Sequence, residues 1–221
     1  MRTKDWKPEK EPKALLIGHD PRLKTSDTIA EFSLFANYYF KSNSKDRPFK
    51  RKYGKYGLAA STFDQITDIT NGNIKPEEIY VTNLCNLALP RALDDKTVYI
   101  PEDKALEGFE NIKRILSENP TIEYIFPMSL QVNYWLQMLG LYDSENSFKE
   151  FSSPKPVGVE NSSPYYEATK QGAFLMICGN RYKVTGSNQV VIPILHAISY
   201  PLKNNFEVYK PAYDRIRSYF L

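Results

Sequence analysis

Four short apolar runs constrain the fold of this chain more than any other feature of its sequence. They lie at 14–17, 79–82, 122–126 and 190–195, and they read ALLI, IYVT, IEYIF and VVIPIL. Runs of this length without polar alternation are typical of strands that are buried on both faces of a parallel sheet. The sequence therefore predicts four parallel strands.

Helical patterns lie between and after these runs. Apolar residues recur every three or four positions in four stripes: Ile29, Phe32, Phe35, Ala36 and Tyr39; Leu106, Phe109, Ile112 and Leu116; Val132, Trp135, Leu136 and Leu139; and Tyr209, Tyr213, Ile216 and Phe220. Thr28 and Glu31 are spaced as a capping box for the first stripe, and Ser129 precedes the third as a candidate cap. Strands that alternate with helices predict an α/β fold, a three-layer α/β/α sandwich around a four-stranded parallel sheet, in one domain over residues 1–221.

The stretch 141–188 interrupts this alternation. It is rich in Ser, Pro, Gly and Asn up to Tyr165. Two further runs, 173–177 and 181–185, flank a Gly-Asn pair and fit a hairpin that leads into the last strand. We interpret the stretch as an insertion within the single domain.

Positive charge is concentrated in one segment. The whole chain has a formal net charge of +3, but residues 41–55 hold seven Lys and Arg against Asp46 alone, so the rest of the chain sums to −3. Four aromatic residues are interleaved with this segment or adjoin it: Phe40, Phe49, Tyr53 and Tyr56. Basic side chains attract phosphates and aromatic rings stack on bases, so the segment fits a nucleic acid, although a solvated loop explains it as well.

Composition excludes several other classes of protein. No apolar run approaches the roughly 20 residues of a membrane helix, and residues 1–13 are charged and lack the apolar core of a signal peptide. We therefore expect a cytoplasmic or nuclear protein, monomeric and without a membrane partner. The two cysteines, Cys85 and Cys178, are too few for a disulfide framework or a four-thiolate site, and the only histidines are His19 and His196. We expect no metal and no cofactor.

Polar residues follow three of the predicted strands. They are GHDPR at 18–22, NLCN at 83–86 and HAISYPL at 196–202. Each alone also fits a structural role, such as a helix cap, a turn or a structural histidine. Because ligands collect beyond the carboxyl ends of parallel strands, and both histidines fall in these segments, we predict one site formed by all three.

Three motifs in this order resemble a known family. The chain has Gly-His-Asp-Pro at 18–21 after the first strand, Asn83 at the end of the second strand, and a His-Ala-Ile-Ser loop at 196–199 after the last strand. The set resembles the uracil-DNA glycosylase superfamily over about 12–140 and 188–221. The resemblance implies that family's fold, DNA with a flipped-out base as partner, and hydrolysis of the N-glycosidic bond of uracil or a related damaged base, without metal or cofactor.

The resemblance also implies roles for single residues. Asp20 matches the carboxylate that positions water and stabilises the sugar cation, His196 matches the donor to the base O2, and Asn83 matches the amide that reads the base edge. Further base-binding candidates are His19, Phe32 and Phe35, and candidate DNA contacts are Arg22, Lys50, Arg51, Lys52, Ser199 as a phosphate ligand and Leu202 as a wedge.

The chain departs from the family pattern at three positions. Arg22 stands where a Tyr closes the pocket to thymine, His19 replaces a Gln, and the last motif reads His-Ala-Ile-Ser in place of His-Pro-Ser. The iron–sulfur branch of the family needs four cysteines, and this chain has two. Two alternatives therefore stay open: a catalytically silent nucleic-acid-binding protein of the same fold, and an enzyme that acts on free nucleosides or nucleotides.

Overall fold

A five-stranded sheet lies at the centre of the structure. The computed structural model describes residues 2–19, 29–41, 54–89, 100–143, 171–196 and 206–221. Its strands are β1 (Ala14–Gly18), β2 (Ile79–Asn83), β3 (Tyr124–Pro127), β4 (Tyr182–Lys183) and β5 (Val190–Val191). They are ordered β2-β1-β3-β5-β4. All neighbours are parallel except β4, which pairs antiparallel with β5.

The structure confirms the four predicted parallel strands. The prediction of a four-stranded sheet is wrong, because the sheet has a fifth strand. The hairpin strand β4 adds an antiparallel edge next to β5. The last strand is also shorter than the run 190–195. Beyond Val191 the chain still donates to β3, from Ile192 N to Ile125 O at 2.8 Å and from Ile194 N to Pro127 O at 3.1 Å. Pro193 lacks a backbone N–H, and the regular ladder gives way to an isolated bridge between Met128 and Ile194.

Six α-helices are present among the described residues. They are α1 (Ala36–Lys41), α2 (Gly54–Ile69), α3 (Glu102–Glu118), α4 (Leu130–Met138), α5 (Gln171–Ile177) and α6 (Phe206–Ser218), with short 3₁₀ turns at Ser33–Phe35 and Pro76–Glu78. The second, third and fourth apolar stripes coincide with α3, α4 and α6, which confirms those helices. None of the helices in the described ranges has both the length and the apolar character needed to cross a bilayer.

The direction of the crossovers indicates how the helices cover the sheet. The chain passes from β1 to β2 on one side of β1 and returns to β3 on the other side. Parallel crossovers are right-handed, so α1 and α2 of the first connection and α3 of the second lie on opposite faces. Helix α6 packs against α2, which puts it on the first face. The arrangement is compatible with an α/β/α sandwich.

The hydrophobic core lies on both faces of strand β1. All five residues of β1 are buried, as expected for a strand covered by helices on each side. Helix α3 contributes a buried stripe of Ala105, Phe109, Ile112, Ile115 and Leu116. The predicted stripe differs at one position, because Leu106 points outward and is 48% exposed.

The first predicted helix is wrong over its first half. Only Ala36–Lys41 is α-helical, and the segment before it is interrupted by Leu34 and Phe35, whose φ angles of +51° and +56° are left-handed. Phe32 instead pairs with Lys4 in a β-bridge. The predicted pairing of 173–177 with 181–185 is also wrong, because Gln171–Ile177 is the helix α5 and the hairpin joins β4 to β5.

An N-terminal arm, which the sequence did not reveal, covers the outer edge of β2. Trp6 exchanges two backbone hydrogen bonds with Val81, at 2.8 and 2.9 Å, and Arg2 bridges to Leu87. An open strand edge is a site for unwanted pairing with other chains. The arm therefore closes the edge of the sheet nearest to Asn83.

Candidate functional site

The carboxyl ends of the parallel strands form one edge of the sheet. Gly18 lies beside Asn83 in the register, and Met128 bridges to Ile194. Neighbouring strands are about 4.8 Å apart, so the backbones of Asn83 and Ile194 are separated by about 14 Å across the edge. The sheet thus brings Gly18, Asn83 and the segment just before His196 to the same edge.

The strand order also predicts where a crevice forms at this edge. The chain leaves β1 toward the face covered by α1 and α2, and the connection after β3 leads into α4. If α4 covers the same face as α3, as a right-handed crossover to β5 requires, the two connections diverge. Ligands in open α/β sheets bind where neighbouring connections diverge in this way. The topology therefore predicts a crevice between the end of β1, at Gly18 and His19, and the end of β3, at Met128 and Ser129.

Asn83 has an unusual side chain for a buried residue. It is 0% exposed, and neither Nδ2 nor Oδ1 makes a hydrogen bond within the described chain. The great majority of buried polar groups are paired, so each exception needs an explanation. A carboxamide offers two donors and an acceptor side by side. The side chain can therefore pair with a ligand that presents an acceptor next to a donor.

The surroundings of the Asn83 amide are tightly packed. A β-carbon at Gly18 would lie 2.4 Å from Asn83 Oδ1 and 2.9 Å from Leu34 Cδ2, closer than real contacts allow. Only glycine fits at position 18 without displacing the amide. Leu34 itself has a left-handed φ of +51°, a strained conformation for this residue type. The backbone before α1 is thus bent so that Leu34 covers Gly18.

Residues on either side of Asn83 are held by one carboxylate. Asp5, on the N-terminal arm, accepts hydrogen bonds from Thr82 Oγ1 at 2.6 Å, from Asn86 Nδ2 at 3.1 Å and from Asn111 Nδ2 at 3.1 Å. Hydrogen bonds to a charged acceptor are stronger than neutral ones. The arm therefore fixes the end of β2 and the turn after it, and with them the position of Asn83.

Ser129 lies at the end of β3 and does not act as the cap that the sequence predicted. It occupies the N-cap position of α4, but its side chain makes no capping bond, and its hydroxyl is buried with no hydrogen-bond partner in the described chain. Its φ of +76° is left-handed. A second buried, unpaired polar group therefore lies at the same edge as Asn83. The position of Ser129 after an apolar run was the only signal for it in the sequence.

Both histidines lie at this edge and are partly buried. The strand pairing continues past β1 and β2, since Leu84 N donates to Gly18 O at 2.8 Å and Cys85 N donates to His19 O at 3.1 Å. His19 is therefore held in line with the turn after β2. Within the described ranges, no three His, Cys, Asp or Glu side chains group closely enough to hold a metal ion.

The two aromatic base-binding candidates lie in different surroundings. Phe32 is partly buried, packs edge-on against Trp6 with ring centroids 5.5 Å apart, and has Lys4 Nζ 5.9 Å from its ring centre. Phe35 is only 2% exposed and belongs to the core. Ser33, between them, donates to Asn86 Oδ1 at 3.3 Å, so this segment runs close to the turn after β2.

The remaining predicted residues lie outside the described part of the chain. They are Asp20, Arg22, Lys50, Arg51, Lys52, Ser199 and Leu202. Their predicted roles stay predictions. Of the basic segment 41–55, only residues 41, 54 and 55 are described, and of the predicted insertion 141–188 only 141–143 and 171–188.

A separate cavity of about 730 Å³ lies at the opposite edge of the sheet. Tyr124 and Val190, the first residues of β3 and β5, line it together with Glu123, Arg181 and Gln189. Gln189 is already engaged, because its Nε2 donates to Ile122 O at 3.0 Å. None of the predicted site residues that the structure describes lines this cavity.

Comparison with known proteins assigns no family: no protein-family model matches the chain, and no curated protein matches it. The likeness to uracil-DNA glycosylases therefore rests on the three motifs and their order. The geometry of the strand ends provides the independent observations.

Proposed function

We propose that this protein is a DNA glycosylase that hydrolyses the N-glycosidic bond of uracil or a related damaged base. The observation that carries the proposal is the buried carboxamide of Asn83, which lies at the carboxyl edge of the sheet without a hydrogen-bond partner in the described chain. Uracil presents a carbonyl oxygen beside an N–H on its pairing edge. Asn83 Nδ2 and Oδ1 complement that pair of groups.

The chemistry of the reaction assigns roles to the residues after β1 and β5. Cleavage passes through an oxocarbenium-like sugar cation and releases a base anion. In the proposed mechanism the Asp20 carboxylate stabilises the cation and orients the attacking water. His196 donates a hydrogen bond to the O2 of the departing base, where negative charge develops. No step requires a metal or a cofactor.

DNA contacts in this proposal come from the segments around the edge. A base must leave the stack before it can reach the crevice, so a wedge and phosphate ligands are needed. Leu202 serves as the wedge and Ser199 as a phosphate ligand, while Arg22, Lys50, Arg51 and Lys52 supply positive charge. The net charge of +6 over residues 41–55 supports an electrostatic contribution to binding.

An activity screen tests the proposal. The purified protein is incubated with labelled single-stranded and double-stranded oligonucleotides that carry uracil or other deaminated or alkylated bases, and abasic sites are detected by alkaline cleavage. We expect abasic sites with uracil or a related base. Asn83→Asp keeps the shape of the side chain but replaces the amide donor, so it should lower turnover by roughly 10²-fold or more. Asn188→Asp, an exposed change at the opposite edge, should leave turnover unchanged.

The outcomes separate the alternative functions. Failure of the folded protein to cleave any base contradicts the glycosylase proposal. Salt-dependent DNA binding without cleavage indicates the silent binding protein. Absence of DNA affinity at low salt, with hydrolysis of free nucleosides or nucleotides, indicates the third alternative.

A further inference from the structure

The chain between β5 and His196 is no longer a regular strand, but backbone hydrogen bonds fix the positions of several of its residues. The carbonyls of Pro193 and Ile194 each have a backbone partner. Gly179 N donates to Pro193 O at 2.9 Å, and Ser129 N approaches Ile194 O at 3.4 Å. The next carbonyl, that of Leu195, is the last one before His196.

The Leu195 carbonyl is held by a side chain from a distant part of the sequence. Gln65, in the middle of α2, donates from Nε2 to Leu195 O at 3.2 Å and to Tyr213 Oη at 2.7 Å. Gln65 is 0% exposed and is separated from Leu195 by 130 residues. A buried hydrogen bond between two elements costs free energy when one partner is lost, so this contact favours one position of the Leu195 peptide.

A second element of the fold lies beside Leu195. The Leu195 backbone lies near the thiol of Cys178, which is buried just after α5. Gln65 of α2 therefore bonds the Leu195 carbonyl, and Gly179 of the turn that follows α5 bonds the carbonyl two residues earlier, that of Pro193. His196 follows Leu195 directly in the chain. The direction of the Leu195 carbonyl therefore determines where the His196 backbone begins.

We propose that Gln65 is a positioning residue for His196: through the Leu195 carbonyl it sets the place of the imidazole at the carboxyl edge of the sheet. The importance of that place for catalysis rests on the proposed function, but the positioning itself does not. The Oε1 of Gln65 accepts no hydrogen bond in the described chain, and burial of this unpaired atom lowers the stability of the fold. The two hydrogen bonds that Nε2 donates offset that loss.

The experiment uses the fact that the chain has only two histidines. Imidazole signals in a ¹H–¹⁵N spectrum of the full-length protein are assigned with His196→Gln. Gln65→Met removes the amide and keeps an unbranched side chain of similar length. We expect the His196 signals to shift and broaden, while the His19 signals stay in place. Thr62→Val is the matched control, because Thr62 is buried on the same helix but bonds only to Leu58 O within it.

Two further measurements complete the test. If Gln65→Met does not fold, Gln65→Glu retains the acceptor but loses the Nε2 donor, and it should move the same His196 signals. On a base that the parent cleaves, Gln65→Met should lower kcat by roughly 10-fold to 100-fold with little change in KM, because misplacement of a reacting group affects the chemical step.

The two proposals fail in different ways. Unchanged His196 signals in a folded Gln65 variant overturn the positioning role, whether or not the parent cleaves DNA. Shifted His196 signals in a protein that cleaves no base support the positioning role and contradict only the glycosylase proposal.

Discussion

Replacing Asn83 with leucine should make the protein more stable. Asn83 is completely buried, and both polar atoms of its amide lack partners in the described chain. Leucine has the same branching at Cγ and brings no polar atoms. The substitution therefore removes two unsatisfied groups from the interior while it abolishes any recognition of a base through the amide.

The size of the effect follows from two opposing contributions. Each buried group without a hydrogen bond costs about 1–3 kcal/mol, so two of them cost about 2–6 kcal/mol. The two methyl groups of leucine are larger than the amide, and the 2.4 Å between Oδ1 and a β-carbon position at Gly18 shows how little room exists. Overpacking of this kind costs about 1–3 kcal/mol. We expect a net gain of about 1–3 kcal/mol, or several degrees in Tm for a chain of this length.

Asn133→Leu is the matched control. Asn133 is equally buried, but its amide donates to Pro127 O at 3.2 Å and to Ser129 O at 2.7 Å, and accepts from Tyr142 Oη at 2.6 Å. Leucine would remove all three hydrogen bonds, each worth about 1 kcal/mol, so stability should fall by about 3 kcal/mol. Urea unfolding followed by circular dichroism measures both variants. A loss in Asn83→Leu as large as that in Asn133→Leu would show that the fold satisfies the Asn83 amide, and the observation that carries the proposed function would be lost.

Three further changes have defined outcomes. Gly108→Ala should lower the free energy of unfolding by about 1–3 kcal/mol in a urea titration, because a β-carbon there would lie 1.7 Å from Leu84 O and push α3 away from the turn after β2. Burial raises the pKa of the Cys178 thiol to about 12, so the folded state keeps a proton that the unfolded chain releases near its usual pKa of 9.0. Stability should therefore fall as the pH rises from about 9 towards 12, and Cys178→Ala should reduce that fall when unfolding is compared at about pH 8 and about pH 10. Asp20→Asn should reduce single-turnover cleavage by roughly 10²-fold while DNA affinity is kept or increased, whereas parent-like turnover would show that Asp20 is not the catalytic carboxylate.

Local signals in the sequence were sufficient for the strands and for three of the helices. The apolar runs that became β1, β2 and β3 are continuous and short, and α3, α4 and α6 have clear stripes. Helix α2 was missed, and the first half of the first stripe was wrong, because Leu34 and Phe35 adopt left-handed angles that apolar spacing does not reveal. Helix α5 was taken for a strand, since a short apolar run fits either element.

The candidate site divides in the same way. The sequence alone put Asn83 and both histidines at strand ends, because the ends of apolar runs are visible in the order of residues. The sequence did not reveal the roles of Asp5 and Gln65. Neither residue belongs to a recognisable motif, and their hydrogen-bond partners are far away in the chain.

The sequence by itself determined that the chain alternates helices with buried parallel strands and that polar residues follow three of those strands. These properties depend on residues that are only a few positions apart, so they are visible in the order of the amino acids. Only the tertiary structure decided the order β2-β1-β3-β5-β4, the closing of the β2 edge by the N-terminal arm, and the isolation of the Asn83 amide. Whether a buried polar group has a partner depends on which distant segments pack around it, and that information exists only once the chain has folded.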